Sequence, residues 1–301
     1  MSWGGSGLGG SRDALLAGLV GKGIQKSRTP EMHMAEAEAQ GMRAIYTLID
    51  AEAFESAVPD LGDLVRAAEL AGFNGLNITY PYKIEILPLL DELSDNARAV
   101  GSVNTVVFRD GKRFGHNTDL WGFAEGFRRG MDGVAKGNVL LIGAGGAGVA
   151  VAHALADCGV LHLKIFDSDT QRAQALADQV QANRAGVTAV AVSAIGDAVA
   201  KDLDGVVNAT PVGMAKSPGT PFPAELLRPE MWVADIVYFP LETQFLANAR
   251  AIGCRVLPGS GMALFQAVRA FELFTGRPAD PVRMKATFDA FDTPSQNTAK
   301  A

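Results

Sequence analysis

Short apolar runs rich in branched and aromatic residues recur along this chain, separated by stretches whose apolar positions fall at helical spacing. From residue 12 to about 120 the runs are ALLAGLVG, RAIYTLID, GLNITY and VNTVVF, with helical stretches such as 60–71 between them. Alternation of this kind predicts βα units and a mostly parallel sheet. A helix-like segment, TDLWGFAEGFRRG, then leads into GNVLLIGAGGAGVAVAHALADCG. Within it NVLLI, residues 138–142, is a continuous apolar run suited to a strand buried on both faces, and VAVAHALAD reads as a helix. The runs HLKIFD, TAVAV, GVVNAT and WVADIVY follow, enough strands for a doubly wound nucleotide-binding sheet. The later stretch GCRVLPGSGMALFQAVRAFELFTG ends as an amphipathic helix that packs through Phe265, Val268, Leu273 and Phe274. The second domain is placed at about 122–254.

Composition narrows the class of partner. With 301 residues, 48% of them apolar, the chain can bury the cores of two domains. Its 27 basic and 33 acidic residues give a net charge of −6 and no basic stripe for a nucleic acid, so a small-molecule partner is expected. No run approaches the roughly 18 apolar residues of a membrane helix, and the glycine-rich opening MSWGGSGLGGSR lacks a signal-peptide core. The expectation is a cytoplasmic protein, flexible at residues 1–12 and 293–301. Cys158 and Cys254 stand alone, and His33, His116, His153 and His162 show no ligand spacing with them; no metal site is expected.

The hexapeptide GAGGAG, Gly143, Ala144, Gly145, Gly146, Ala147 and Gly148, puts glycine at all three fixed positions of G-x-G-x-x-G. There a tight turn, approach to a pyrophosphate and helix packing each exclude a side chain. A strand before it, a helix after it and Asp167 at the end of the next strand complete the pattern of a dinucleotide site. A carboxylate at that position accepts from both ribose hydroxyls of NAD and repels the 2′-phosphate of NADP. The stretch DSD carries two acids and no base, and Arg172 follows three residues on, facing either the adenine or solvent. NAD is therefore favoured over NADP.

The run NITYPYK, residues 77–83, ends a buried-looking strand on a lysine, and polar groups gather after two further apolar runs: Asn104 and Thr105, then Asn117, Thr118 and Asp119. In open α/β sheets ligands sit beyond the carboxyl ends of strands. Through SRTPEMH (27–33), NITYPYK, GSVNT (101–105), HNTD (116–119), GAGGAG, NATPVGM (208–214), DIVY (235–238) and GMALFQA (261–267), the chain resembles the shikimate dehydrogenase family over nearly its whole length. The resemblance implies two domains with a cleft between them: a mixed, mostly parallel α/β substrate domain, 1–121 with 255–301, and a Rossmann-type dinucleotide domain, 122–254. It implies Lys83 and Asp119 as the catalytic pair beside a hydroxyl that becomes a ketone. Ser27 and Thr29 match positions that hold the substrate carboxylate; Asn77, Thr79, Asn104 and Gln266 match those that bind ring hydroxyls, and Tyr238 lines the pocket. The resemblance further implies Asn208, Thr210, Val237, Gly259 and Met262 as cofactor-binding residues. A monomer or homodimer is expected.

The chemistry suits these residue types. Oxidising a secondary alcohol means losing a hydride to a nicotinamide and a proton to a base, and a placed base is worth roughly 10²- to 10⁴-fold. Hydroxyl and amide side chains orient a polyol and penalise analogues that lack the matching group. Each also has a local alternative: Thr29 precedes Pro30 and could start a helix, Asn104 could bond locally, and Gln266 could face solvent.

Three departures from the family stand out. NADP-binding members carry N-R-T-x-x-R/K where this chain has DSDTQRA, which resembles the NAD-using quinate/shikimate branch. Thr29 replaces a serine, as in members that accept quinate as well as shikimate. Leu120 replaces a common glycine, with no role evident from the sequence. The alternatives are an NADP-dependent biosynthetic enzyme, a relative acting on an amino-substituted analogue, or a nucleotide-binding regulatory protein; retention of both Lys83 and Asp119 argues against the last.

Overall fold

A computed structural model describes residues 14–54, 59–199 and 202–291. The segments expected to be flexible, 1–12 and 293–301, lie outside the described residues. The chain divides into two compact units, one running to Thr118 and resuming at Ala267, the other Asp119–Gln266.

The first unit opens with β1 (Ala14–Gly21), α1 (Thr29–Ala39), β2 (Arg43–Asp50), α2 (Leu61–Leu70) and β3 (Gly75–Ile78). It continues with β4 (Glu92–Leu93), α3 (Asp95–Val100), β5 (Thr105–Arg109) and β6 (Lys112–His116), and the boundary falls inside α4 (Thr118–Gly130). The sheet order is β2-β1-β3-β5-β6-β4. Its first three strands are parallel, whereas β3, β5 and β6 pair antiparallel, so the sheet is mixed. Asp110 and Gly111, at φ 54° and 72°, make the two-residue turn between β5 and β6. The apolar pattern did not single out β6, because KRFGH carries one large apolar residue. Nor does GLNITY remain a strand to its end: β3 stops at Ile78, and Thr79–Lys83 turns away.

The second unit holds β7 (Asn138–Ile142), α5 (Gly146–Asp157), β8 (His162–Phe166), α6 (Thr170–Asn183), β9 (Thr188–Ala191) and α7 (Ile195–Ala198). Then come β10 (Gly205–Asn208), β11 (Trp232–Asp235), α8 (Gln244–Ile252), β12 (Arg255–Leu257) and α9 (Ser260–Thr275), inside which the second boundary falls. All its strands are parallel, in the order β12-β11-β10-β7-β8-β9. This is the doubly wound order, reversing direction between β7 and β10. Leu140, Leu141, Val206, Val207 and Val233 are wholly buried, as central parallel strands covered by helices on both faces require. Truncating one of them, Leu140→Ala for example, costs about 2–5 kcal/mol.

After α9, α10 (Pro281–Ala290) docks on α1 in the first unit. Arg283 grips the buried Glu36 carboxylate with Nε at 2.6 Å and Nη2 at 2.8 Å, a bidentate geometry that fixes both distance and angle.

Candidate functional site

In the first unit the residues of SRTP gather at the start of α1. The Ser27 hydroxyl donates to Thr29 Oγ1 at 3.1 Å and accepts from the Thr29 amide at 3.3 Å. Both residues are half-buried. Arg28 between them turns the other way: it is buried, donates Nη1 to the Phe288 carbonyl at 2.9 Å, and lies 4.7 Å over the Phe288 ring. Two hydroxyls are thus presented at the N-terminus of an 11-residue helix, whose dipole favours a carboxylate.

Asn77 and Asn104 come together across β3 and β5. Asn77 Nδ2 donates to Thr105 Oγ1 at 2.9 Å and to the Asn104 carbonyl at 3.3 Å, while its Oδ1 accepts from the Tyr46 hydroxyl at 2.7 Å. Asn104 Oδ1 accepts from the Thr118 amide at 2.7 Å, and Asn104 Nδ2 donates to Thr118 Oγ1 at 3.0 Å. The Asn104 side chain therefore caps the start of α4, whose second residue is the buried Asp119. Thr79 lies against Gly21: a Cβ there would stand 2.3 Å from Thr79 Cγ2. Half-buried Lys83 is tied to the same region through its carbonyl, which accepts from the Val103 amide at 2.8 Å.

In the second unit, the glycines of GAGGAG are of two kinds. Gly143, at φ +103°, would put a Cβ 2.8 Å from Thr210 Cγ2, and a Cβ on Gly148 would stand 2.0 Å from the Gly143 carbonyl oxygen; packing alone demands glycine at both. Around Gly145 and Gly146 nothing lies within 4 Å of the position a Cβ would take. That open space at the N-terminus of the 12-residue α5 is room for a phosphate, so these residues fit a dinucleotide. Ala144 donates its amide to Asp167 Oδ2 at 2.7 Å, and Asp169 donates its amide to Oδ1 at 2.8 Å. Burial pushes the Asp167 carboxyl up, but these bonds, Arg172 and Ser168 together hold it below the usual carboxylate range. Arg172 is held on this acid pair, 3.4 Å from Asp167 Oδ1 and 3.1 Å from Asp169 Oδ2.

The loops after β10 and β11 are built on Asp235. Its Oδ1 accepts from Asn208 Nδ2 and the Val237 amide, both at 2.9 Å, and its Oδ2 from the Thr243 hydroxyl at 2.7 Å. Burial raises this carboxyl above its ordinary value despite those bonds. Asn208 spends its amide inside the protein, on Asp235, the Val212 carbonyl and the amide and hydroxyl of Thr210. Gly259 packs on the backbone of Ile236 and Val237, where a Cβ would meet the Ile236 carbonyl oxygen at 2.4 Å. Tyr238 is 42% exposed, its ring 5.3 Å from that of Phe239. Gln266 is half-buried rather than solvated, because the α9 backbone at Met262 and Gln266 lies against Gly122 of α4, each 2.7 Å from where its Cβ would be.

Tyr46, Thr118 and Asp235 organise these groups, and the sequence reading assigned none of them a role. Thr118 had a visible signal, a Thr-Asp pair opening a helical run. Among the described residues no group of three or more His, Cys, Asp or Glu side chains could hold a metal, and no helix is long and apolar enough to cross a membrane.

Residues 19–106 match the shikimate dehydrogenase substrate binding domain, 119–211 the ThiF family, and 259–287 the shikimate 5′-dehydrogenase C-terminal domain. The chain is 50% identical over 279 residues to a shikimate dehydrogenase (NADP(+)) of Streptomyces avermitilis, across 92% of this chain and 95% of that protein. It is 49% identical over 281 residues to a quinate/shikimate dehydrogenase (NAD(+)) of Corynebacterium efficiens, across 92% and 99%. The solved structure of quinate dehydrogenase from Corynebacterium glutamicum in complex with NAD superposes with a TM-score of 0.88 at 49% identity, covering 92% of this chain and 99% of that one. With identity this high over nine-tenths of its length, the chain belongs to the shikimate dehydrogenase family.

Proposed function

We propose that this protein is an NAD-dependent oxidoreductase that reversibly oxidises the ring hydroxyl of shikimate, to 3-dehydroshikimate, of quinate, to 3-dehydroquinate, or of both. It acts on these small acids in the cytoplasm, as a monomer or homodimer. The observation that carries the reading is the Asp167 carboxylate, bonded to the Ala144 amide at the glycine loop, with Arg172 drawn onto the acid pair rather than left to meet a 2′-phosphate.

The Ser27 and Thr29 hydroxyls take the substrate carboxylate, and Asn77, Thr79, Asn104 and Gln266 orient the ring hydroxyls, with Tyr238 beside them. Lys83 and Asp119 are the acid–base residues. Lys83 takes the hydroxyl proton in the oxidising direction and returns it in the reducing one. Gly143, Ala144, Gly145, Gly146, Ala147 and Gly148 cradle the pyrophosphate, and Asp167 takes the ribose hydroxyls. Arg172 flanks the adenine; Thr210, Val237, Gly259 and Met262 shape the nicotinamide end, with Asn208 holding Thr210 in place. When bound, the nicotinamide supplies the hydride acceptor.

Initial rates with shikimate and with quinate, each against NAD and NADP, test this reading on the wild type and Lys83→Ala. Activity with NAD that falls by roughly 10²- to 10⁴-fold in the variant supports it. Preference for NADP overturns the cofactor assignment, and turnover of neither acid overturns the substrate.

A further inference from the structure

The loop between β1 and α1, residues 22–28, carries Ser27 and leads into Thr29, and it belongs to neither element. What fixes it is one carboxylate on the neighbouring strand. Asp50, the last residue of β2, is 4% exposed. Its Oδ1 accepts from the amides of Gly23 at 2.8 Å and Glu52 at 3.1 Å. Its Oδ2 accepts from the amide of Ile24 at 3.0 Å and from Gln25 Nε2 at 2.9 Å. A carboxylate offers about four lone-pair sites, and all four are taken, three of them by the loop.

From Asp50 the structure runs to both halves of the proposed substrate site. The Ser27 amide donates to the Ile24 carbonyl at 2.9 Å, and the Ser27 hydroxyl then bonds Thr29. On the other side, the Lys22 amide donates to the Tyr80 carbonyl at 3.0 Å. The Ile24 and Thr79 methyls also crowd one spot, 2.9 Å and 2.3 Å from where a Gly21 Cβ would be. Burial pushes the Asp50 carboxyl up, but its four donors outweigh that and keep it below the ordinary range, so the clasp stays ionised near neutral pH.

We propose that Asp50 is the positioning residue for the substrate carboxylate: it sets the spacing of the Ser27 and Thr29 hydroxyls and seats Thr79 by clasping the β1–α1 loop. With no lone pair left over, it acts without touching the substrate. The proposal deepens the functional reading above and rests on it for the identity of the acid.

Asp50→Asn turns an amide NH₂ toward two N–H donors and releases half the clasp. The KM for shikimate or quinate is expected to rise about ten-fold or more, with kcat within about three-fold and the KM for NAD unchanged. Combined with Ser27→Ala, the two KM effects do not multiply, because Asp50 acts through Ser27. A parallel rise in the KM for NAD, multiplying effects, or an unmoved KM for the acid overturns the proposal. Amide hydrogen exchange over residues 22–29 needs no substrate. Protection lost there and retained across the β1–β2 ladder in Asp50→Asn supports the clasp even if neither acid is turned over; unchanged exchange overturns it. Should Asp50→Asn not fold, Gln25→Ala removes one donor from the same oxygen, and an unchanged KM for the acid together with unchanged exchange then overturns the proposal.

Discussion

The Tyr46 hydroxyl donates to Asn77 Oδ1 at 2.7 Å and so decides which way that amide points. With Oδ1 held toward β2, Nδ2 must face β5, where it meets Thr105 and the Asn104 carbonyl. Tyr46→Phe keeps the ring and its stacking on His33, at a centroid distance of 4.9 Å, but leaves Oδ1 without its donor. A buried acceptor losing its donor costs about 1–3 kcal/mol, to be read from urea denaturation. The same variant is expected to lower kcat/KM for the acid several-fold while the KM for NAD stays put. Loss of stability with no change in kcat/KM would show that Asn77 needs no orienting partner.

How far the sequence discloses such a site depends on the separation of its partners. The central strands are legible because burial on both faces leaves unbroken apolar runs, as in NVLLI, and GAGGAG is legible because its constraints lie within six residues. Tyr46 with Asn77, Gly23 with Asp50, and Asn208 with Asp235 are joined across 31, 27 and 27 residues, and only the parallel pairing of strands brings them together. Tyr46 and Asp50 do share one face of β2, so alternation places both inward without naming their partners. Leu120, whose role the sequence left open, is a core residue, 2% exposed. The second unit runs from 119 to 266, against the 122 to 254 read from the sequence, because β12 adds to β11 and the first turns of α9 pack on α4.

Cofactor choice is expected to follow charge at the end of β8. Asp167→Asn removes the repulsion toward a 2′-phosphate and weakens the ribose contact. Adding Asp169→Ser releases Arg172 from its 3.1 Å partner. The ratio of kcat/KM for NADP to that for NAD is expected to rise at least about ten-fold in the single variant and further in the double. An unmoved ratio would mean that neither acid senses the ribose.

Two fully buried histidines weaken the fold in acid. His33 is enclosed by Tyr46, Phe271 and Phe274, and His153 is buried in α5; no ring nitrogen of either has a hydrogen-bond partner. Burial lowers the His33 pKa to about 3. For His153, burial and then Arg184 lower it to about 4. Since the unfolded chain takes up these protons near pH 6.5, stability is full above that pH and falls as pH drops, until the folded rings titrate. Each such proton corresponds to about 1.4 kcal/mol per pH unit between pH 5.5 and 4.5, and His116, lowered by burial and then by Arg269 and Arg109, adds in the same direction. Asp50 and Asp167, with lowered folded-state values, add to the loss only at still lower pH; Asp235, raised by burial, opposes it. In denaturant titrations His33→Phe is expected to reduce the slope over that window by about one proton, about 1.4 kcal/mol per pH unit. An unchanged slope would mean that His33 is not held neutral.

The two kinds of glycine in GAGGAG separate folding from cofactor binding. At Gly148 a methyl would fall 2.0 Å from the Gly143 carbonyl oxygen, so Gly148→Ala must force α5 away from the turn after β7. Overpacking of this kind costs about 1–3 kcal/mol, and the thermal midpoint is expected to drop with or without NAD. At Gly145 a methyl meets nothing within 4 Å, and its φ of −75° suits any residue. Gly145→Ala therefore costs the apo fold no more than about 1 kcal/mol, the penalty of alanine at a helix N-cap. The methyl would nevertheless occupy the space through which a pyrophosphate reaches the α5 amides. The KM for NAD is expected to rise at least about ten-fold, and the stabilisation that NAD confers on the thermal midpoint to disappear. If Gly145→Ala binds NAD as the wild type does, the pyrophosphate does not approach at this turn, and the open space there has another use.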